Sequence, residues 1–514
     1  MMMPELFSNT PDAEKTGELL AWLRDYASRH VNSFLIDRRC TIPPHIVLDL
    51  GNKGVLGMQV PEEWGGRLAL SHAGSCQVLR QLAGIDLALT AFVGVNNHLG
   101  TRPLLRFGSA EQKQRYLPQL ASGRILAAFA QTEPAAGANP LAMTSVARAC
   151  PDGDFILSGE KWWSGLAAWA GVITVIARHQ DSQGVNRGYI ALAIDKEQPG
   201  MRQGEEAPTM GMRGMVQNKI HFDQARIPRA AVLGSPYAGL AIGNDTMGAG
   251  RLAIAAACSG AIWRTLQLMV QYGGKRRIAS GLLYQNQHTQ YVIHNTWMAA
   301  IALDMLVEHI ALHLDQEQAL PSEVFAAAKL LASELLWTAV DAAGQLLGGR
   351  GYCDNNPLSQ LARDARVTRI FEGPSETLSV FLGQSLWQGG HPMLSHLGRL
   401  AGGNALCGGL AELQTTLKQR YPDDVRLEEV SARHLLLLGQ ALAWATLGGI
   451  VHDGDAALRG WWQERWDELH RQIFQDKPVL LPEAAALEHM IASRIGRVEQ
   501  GAAGEEVLPN LLHC

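Results

Sequence analysis

Hydrophobic periodicity changes twice along this chain, and no other feature narrows its fold so far. Up to about residue 125, apolar residues recur every three or four positions. Leu20, Leu23, Tyr26 and Ala27 in "GELLAWLRDYASRHV" show it, and "SHAGSCQVLRQLAGIDLAL" repeats it. That is the period of helices with one buried face. From about 126 to 235 short β-like runs take over: "FILSGEKWW", "GVITVIARH", "RGYIALAID" and "NKIHF", divided by turn clusters such as Pro151–Asp154. No helical segment separates these strands and no GxGxxG follows one. That argues against a doubly wound parallel sheet and for a small antiparallel barrel or sandwich. From about 236 to 395 long helices return. Leu252, Ala255, Ser259, Trp263, Leu266 and Val270 form one stripe, while "EVFAAAKLLASELLWTAVDAAGQLLGG" is apolar nearly all round, as befits a helix inside a bundle.

The expected organisation is therefore multi-domain α+β. An N-terminal helical domain (1–125) is followed by a central antiparallel β domain (126–235), a C-terminal helical bundle (236–395) and a helical extension (396–514). A chain of 514 residues, 47% hydrophobic, can fill several cores of this kind. A net charge of -5 leaves no electrostatic footprint for nucleic acid. Seven scattered cysteines without a CxxC pair point to a reducing compartment and away from a disulfide framework or a metal site. The opening "MMMPELFSNTPDAEKTGELL" lacks a basic segment followed by an apolar run, so no secretory signal is expected. Leu435–Val451 is apolar but contains Gly439, Gln440 and Gly448–Gly449, and reads as a buried bundle helix rather than a transmembrane segment. A cytoplasmic protein is expected. In the extension Trp462, Trp466, Leu469 and Ile473 share a face, either a packing stripe onto the bundle or a partner or membrane surface.

Several motifs occur in an order that resembles the acyl-CoA dehydrogenases. They are "VPEEWGG", "FGSAEQKQRYLPQLASG", "AFAQTEPAAGANP", "GEKWWSG", "GMRG", "YGGKRRIASGLLYQNQ" and "QLLGGRGYCDNNPLSQLARDARVTRIFEGPSETL", covering about residues 15–390. The resemblance implies a four-helix C-terminal bundle, FAD as cofactor, and oxidation of an acyl thioester to the 2,3-enoyl thioester. "FEG" puts the catalytic base on Glu372 and "GRLA" puts Arg251 beside it. The alternative position used by some branches is Gly250 here, which cannot serve as a base. The physics agrees: a base for a proton alpha to a thioester must sit close to the carbon, away from water, in surroundings that raise its pKa.

The same resemblance implies a flavin site. Ala130, Gln131 and Thr132 would run along the ring, and Trp163 would pack on it. The usual hydroxyl two places after that tryptophan is Gly165 here, so either Ser164 or a main-chain N–H takes its part. The phosphate-binding serine of "GAGSD" is Ala138. Arg276 would pair with the pyrophosphate, a role suited to a guanidinium, and Gln287 would lie near it. Gln345, Gly348 and Gly349 would approach the adenosine part from a neighbouring subunit, and Ser375 and Glu376 would touch the cofactor again. Glu133 and Asp364 read as structural ion pairs or caps. Asn96, Asn97 and His98 either face the acyl cavity or cap a helix.

Expected partners are an acyl thioester, on CoA or on an acyl carrier protein, an electron-transfer flavoprotein, and further copies of the chain in a homodimer or homotetramer. Two other readings remain open: a flavoenzyme of the same fold that reacts with O2 as an oxidase, and a non-catalytic scaffold, which Ala138 and Gly165 motivate.

Overall fold

The computed structural model describes residue 10, residues 12–477 and residues 479–496. Residues 1–9, much of the stretch read for a targeting signal, and Cys514 lie outside that range. The N-terminal region is helical: α1 (Ala13–His30), α2 (Ser33–Arg39), α3 (Pro44–Asn52), α4 (His72–Ala83), α5 (Leu87–Gly94), α6 (Arg102–Phe107) and α7 (Ala110–Ala121). Between α5 and α6 the chain widens into a π-helical turn, Val95–Thr101, a feature that often marks functional sites. Side chains hold it open. Asn96 donates to the Leu56 carbonyl (2.6 Å) and accepts from Ala127 N (2.9 Å). Asn97 donates to the Val55 carbonyl (3.0 Å) and accepts from Met58 N (3.1 Å). His98 lies 3.1 Å from the Ser75 hydroxyl. All three are buried. Neither the cavity nor the cap expected for them is their place: the two asparagines satisfy backbone groups of the 55–58 turn and the first strand, and His98 meets α4.

Seven strands follow: β1 (Leu126–Ala130), β2 (Val146–Ala149), β3 (Phe155–Gly165), β4 (Ala170–Gln180), β5 (Asn186–Asp195), β6 (Met201–Glu206) and β7 (Gln217–Ile227). They form one sheet in the order β1-β4-β2-β3-β7-β6, with β5 on the other edge of β4. The antiparallel expectation needs one correction, because β1 and β2 both pair with β4 in parallel. At eleven residues β4 is long enough to carry both on one edge, β1 along 170–175 and β2 along 178–180. Its middle, Val172–Ala177, is buried on both faces, which is why it reads as a continuous apolar run.

The bundle consists of α8 (Gly239–Gly273), α9 (Gln287–Asp315), α10 (Ser322–Leu347) and α12 (Ser375–Trp387), with α11 (Pro357–Thr368) leading into α12. A two-stranded hairpin, β8 (Arg277–Ile278) and β9 (Gly281–Leu282), joins α8 to α9. The extension adds α13 (His391–Leu397), α14 (Gly403–Lys418), α15 (Ala432–Val451), α16 (Ala456–Gln475) and α17 (Ala484–Ile495). It is built into the bundle. A β-carbon at Gly439 would stand 1.7 Å from the Ser379 carbonyl oxygen, and one at Gly383 only 1.8 Å from that of Leu435. Glycine at these two places is what lets α12 and α15 meet backbone to backbone. Trp466, Leu469 and Ile473 are buried, and the Trp462 indole donates to the Trp444 carbonyl (2.8 Å), so their stripe packs inward. By length and composition α8, α9 and α15 could cross a membrane, yet most of each apolar stretch is buried within this fold.

Candidate active site

"RVTRIFEGPSETL" folds as the end of α11, a tight turn, and the start of α12. Glu372 (φ +53°) and Gly373 (φ +101°) are successive left-handed residues, a conformation a glutamate seldom adopts. Glu372 as a whole is half-buried, but its Oε2 is shut from solvent and has no hydrogen-bond partner among the described residues. Burial raises its carboxyl to about 7, with Arg251 and Lys329 pulling the other way. Arg251 Nε donates to the Glu372 carbonyl oxygen (3.2 Å).

The opposite wall comes from α8 and the π-helical turn. A β-carbon at Gly250 would lie 2.7 Å from Leu99 Cδ2 and 3.4 Å from Glu372 Oε2. Gly250 therefore does more than leave the base to Glu372: its missing side chain lets Leu99 pack beside the carboxyl. One π-turn earlier, Val95 faces β3, with its Cγ1 3.6 Å from where a Gly165 β-carbon would be. Val95 and Leu99 thus connect the end of β3 to the carboxyl.

The residues expected to run along a flavin gather at that end of the sheet. Ala130 ends β1. The Gln131 carbonyl accepts from Lys161 Nζ (3.1 Å) and the Thr132 carbonyl from Trp162 N (2.9 Å). The Gln131 amide lies over α8, where a β-carbon at Gly243 would meet its Oε1 at 2.8 Å. Beneath them Lys161 and Glu133, both fully buried, form an ion pair at 2.6 Å. Burial works against the Glu133 carboxylate, but the Lys161 ammonium outweighs it and holds Glu133 well below the usual range. This is the structural pair the sequence suggested. Asp364, buried, accepts from Met212 N and so anchors the turn that carries Met215. Met215 Cε comes within 3.0 Å of a would-be Gly165 β-carbon, so Met215 fills the place a side chain at 165 would need.

Trp163 is not core: it stands at φ +57° and is 52% exposed. The neighbouring Ser164 hydroxyl is buried without a partner, as is Oδ1 of Asn218, which pairs with Ser164 across β3 and β7. A bare indole beside unpaired polar atoms fits a flat ring with hydrogen-bonding edges, such as an isoalloxazine.

The remaining expected cofactor residues lie elsewhere. Arg276 and Gln287 are exposed around the α8–α9 hairpin, and Arg276 makes no ion pair among the described residues. Gln345, Gly348 (φ +60°) and Gly349 are exposed at the end of α10. The two groups are linked by Arg350, 5.9 Å over the Tyr272 ring. The end of α8 is about 33 Å along the helix from Arg251. Ser375 is buried, its N–H donating to the Arg369 carbonyl (3.0 Å), whereas Glu376 is exposed. Sequence reading missed Lys329, fully buried in α10, whose Nζ donates to the Gly373 carbonyl (2.6 Å). The available signal was the one basic residue of α10, set within the apolar run Val324–Ala332.

Comparison with known proteins places these elements. Residues 13–124, 128–225 and 238–386 match the models of the acyl-CoA dehydrogenase N-terminal, middle and C-terminal domains. The chain is 32% identical over 361 residues to the mitochondrial short-chain specific acyl-CoA dehydrogenase of Homo sapiens, covering 70% of this chain and 86% of that one. It is 30% identical over 372 residues to an acyl-CoA dehydrogenase of Bacillus subtilis (strain 168), covering 71% and 96%. Among solved structures, butyryl-CoA dehydrogenase from Megasphaera elsdenii superposes with a TM-score of 0.69 at 25% identity, over 73% of this chain and 98% of that one. An acyl-CoA dehydrogenase from Bacillus anthracis, complexed with FAD, gives 0.77 at 20% identity over 97% and 94%. That likeness is one of fold, and it continues through the extension.

Proposed function

Because this chain belongs to the acyl-CoA dehydrogenase family, whose members are oxidoreductases acting on a CH–CH group, we propose that it carries out α,β-dehydrogenation of an acyl thioester with FAD as its cofactor. FAD, held by the 130–132 backbone, Trp163 and Ser164, would supply the hydride acceptor for the β carbon. The chain's own part begins with Glu372. Its Oε2, unpaired and shielded, takes the α proton, and a carboxyl raised to about 7 is matched to that work near neutral pH. Arg251 holds the backbone of the same residue. Leu99 and Val95 exclude water from the space between Glu372 and the end of β3, and Trp163, Ser164 and the 130–132 backbone orient the ring. The observation that carries this reading is the buried, unpartnered Glu372 oxygen facing the gap left by Gly250.

Arg276, Gln287, Gln345, Gly348 and Gly349 are too far from Glu372 to serve the same cofactor easily. We assign them to FAD held by a second copy, which makes the working unit at least a homodimer. An electron-transfer flavoprotein is the proposed acceptor. We place the protein in a reducing compartment such as the cytoplasm on its scattered cysteine pattern alone. The test is spectroscopic. Purified protein should carry FAD absorbance that is bleached anaerobically by an acyl thioester of suitable length. Protein that takes up no FAD would support the scaffold reading, and peroxide released on turnover in air would support the oxidase.

A further inference from the structure

Lys329 plays no part in the reading above. It stands mid-helix in α10, with Ala326–Ala328 and Leu330–Ala332 around it all buried, and it is itself fully buried. An ammonium stripped of water persists only where something compensates its charge. Its one hydrogen bond among the described residues goes to the Gly373 carbonyl, at 2.6 Å. The left-handed pair Glu372–Gly373 turns two successive carbonyls toward the bundle. Arg251 of α8 takes the first at 3.2 Å, and Lys329 of α10 takes the second. Five residues along α10, Glu334 holds the Arg369 side chain at 2.7 Å, and Ser375 N closes the turn onto the Arg369 carbonyl. The turn is thus gripped from two helices at its base and at its tip.

We propose that Lys329 is a positioning residue for Glu372: its ammonium fixes the Gly373 carbonyl so that the carboxyl faces Gly250 and Leu99, and its charge favours the carboxylate when the proton is absent. The inference rests on the reading of Glu372 as the base.

The groups around this pair leave few other candidates for the compensating charge. Arg251 faces Glu372 from α8 and is itself a cation. Cys258, also on α8, faces Lys329, but burial pushes its thiol up to about 12, so it stays neutral. Glu334 acts on Lys329 more weakly than Glu372 does. Burial draws Lys329 down to about 8, with the Glu372 carboxylate opposing the fall and Arg251 adding to it, so it is still largely charged at pH 7. When Glu372 accepts a proton during turnover, the carboxylate facing Lys329 is neutralised. Lys329 and Arg251 then both favour return of the proton to solvent, which resets the base.

The test compares wild type, K329M, K329Q and K329R as FAD-loaded full-length proteins. Infrared difference spectra across pH 5–9 follow the Glu372 carboxyl, with E372Q identifying its band, and kcat and KM are measured over the same range. K329M should move the carboxyl's titration up by roughly one pH unit. The acid limb of kcat should move with it, and KM should change far less than kcat. K329Q, which keeps a donor for Gly373 but no charge, should show the same shift while preserving the turn. K329R should restore the wild-type titration. Should K329M fail to fold, K329Q against K329R decides the matter. Carboxyl titrations unchanged in K329M and K329Q would overturn the proposal. Full activity in E372Q would instead overturn the base assignment, while the infrared titration would still report on Lys329.

Discussion

Glu372 is the most constrained side chain of the site. A glutamate at φ +53° with an unpaired buried oxygen is costly, and such a feature persists where surrounding contacts over-determine it. Its carboxyl titrates near 7 and works as a base only when ionised. kcat should therefore rise as pH is raised through about 7 and be lost below it, which a pH–rate profile checks. Arg251→Lys keeps a cation but gives up the Nε contact with the Glu372 carbonyl. We expect kcat to fall by roughly tenfold or more with folding intact, because the two cations differ in reach and donor geometry. Thermal melts alongside steady-state kinetics separate those outcomes. Glu372 and Arg251, 121 positions apart, could be named as neighbours because each sits in a short motif that resembles the family's. It could not name Lys329, whose partner lies 44 positions away and is a backbone carbonyl, invisible in any pattern of side chains.

Among the elements, the long helices and the long strands were legible because their periods extend over many residues. Short strands were not. β2 has four residues and β6 has six, mostly half-exposed, and neither offers enough alternation to register. The parallel pairing of β1 and β2 with β4 was equally hidden, since strand direction depends on connections rather than composition. Gly439 interrupted an apolar run in the sequence; in the fold it is the contact point of α12 and α15. Gly439→Val should therefore cost at least about 1–3 kcal/mol through backbone overpacking, read as a lowered Tm.

The α9–α13 contact makes a second prediction. His309 and His396 approach at 3.4 Å, with the His313 ring tilted against His309 and Arg399 acting on His396. Burial lowers His309 to about 3 and His396 to about 4. Both are neutral in the fold and take up protons more readily when unfolded. Their stabilising contribution is complete above the ordinary histidine pKa and is lost as pH falls toward 4. Tm should drop between pH 6.5 and 4.5, and His309→Gln should flatten that drop.

At the scale of the whole molecule, one chain supplies the proposed base, the end of the sheet proposed to hold the flavin ring, and a bundle locked to its extension. The residues suited to the distant parts of FAD lie at the far ends of α8 and α10. Arg276→Ala should therefore weaken FAD retention without altering the Glu372 titration, and mixing it with wild-type subunits should yield dimers with one well-filled site. FAD content per subunit and native mass check this together.

The central claim is that Glu372 removes the proton beside the thioester carbonyl. It is tested most directly by following exchange of that α hydrogen with deuterated water in a bound acyl thioester, using mass spectrometry on wild type and Glu372→Gln. Our account predicts steady exchange in wild type and a loss of roughly 10²–10⁴-fold in the variant. Equal exchange rates in the two proteins would contradict it.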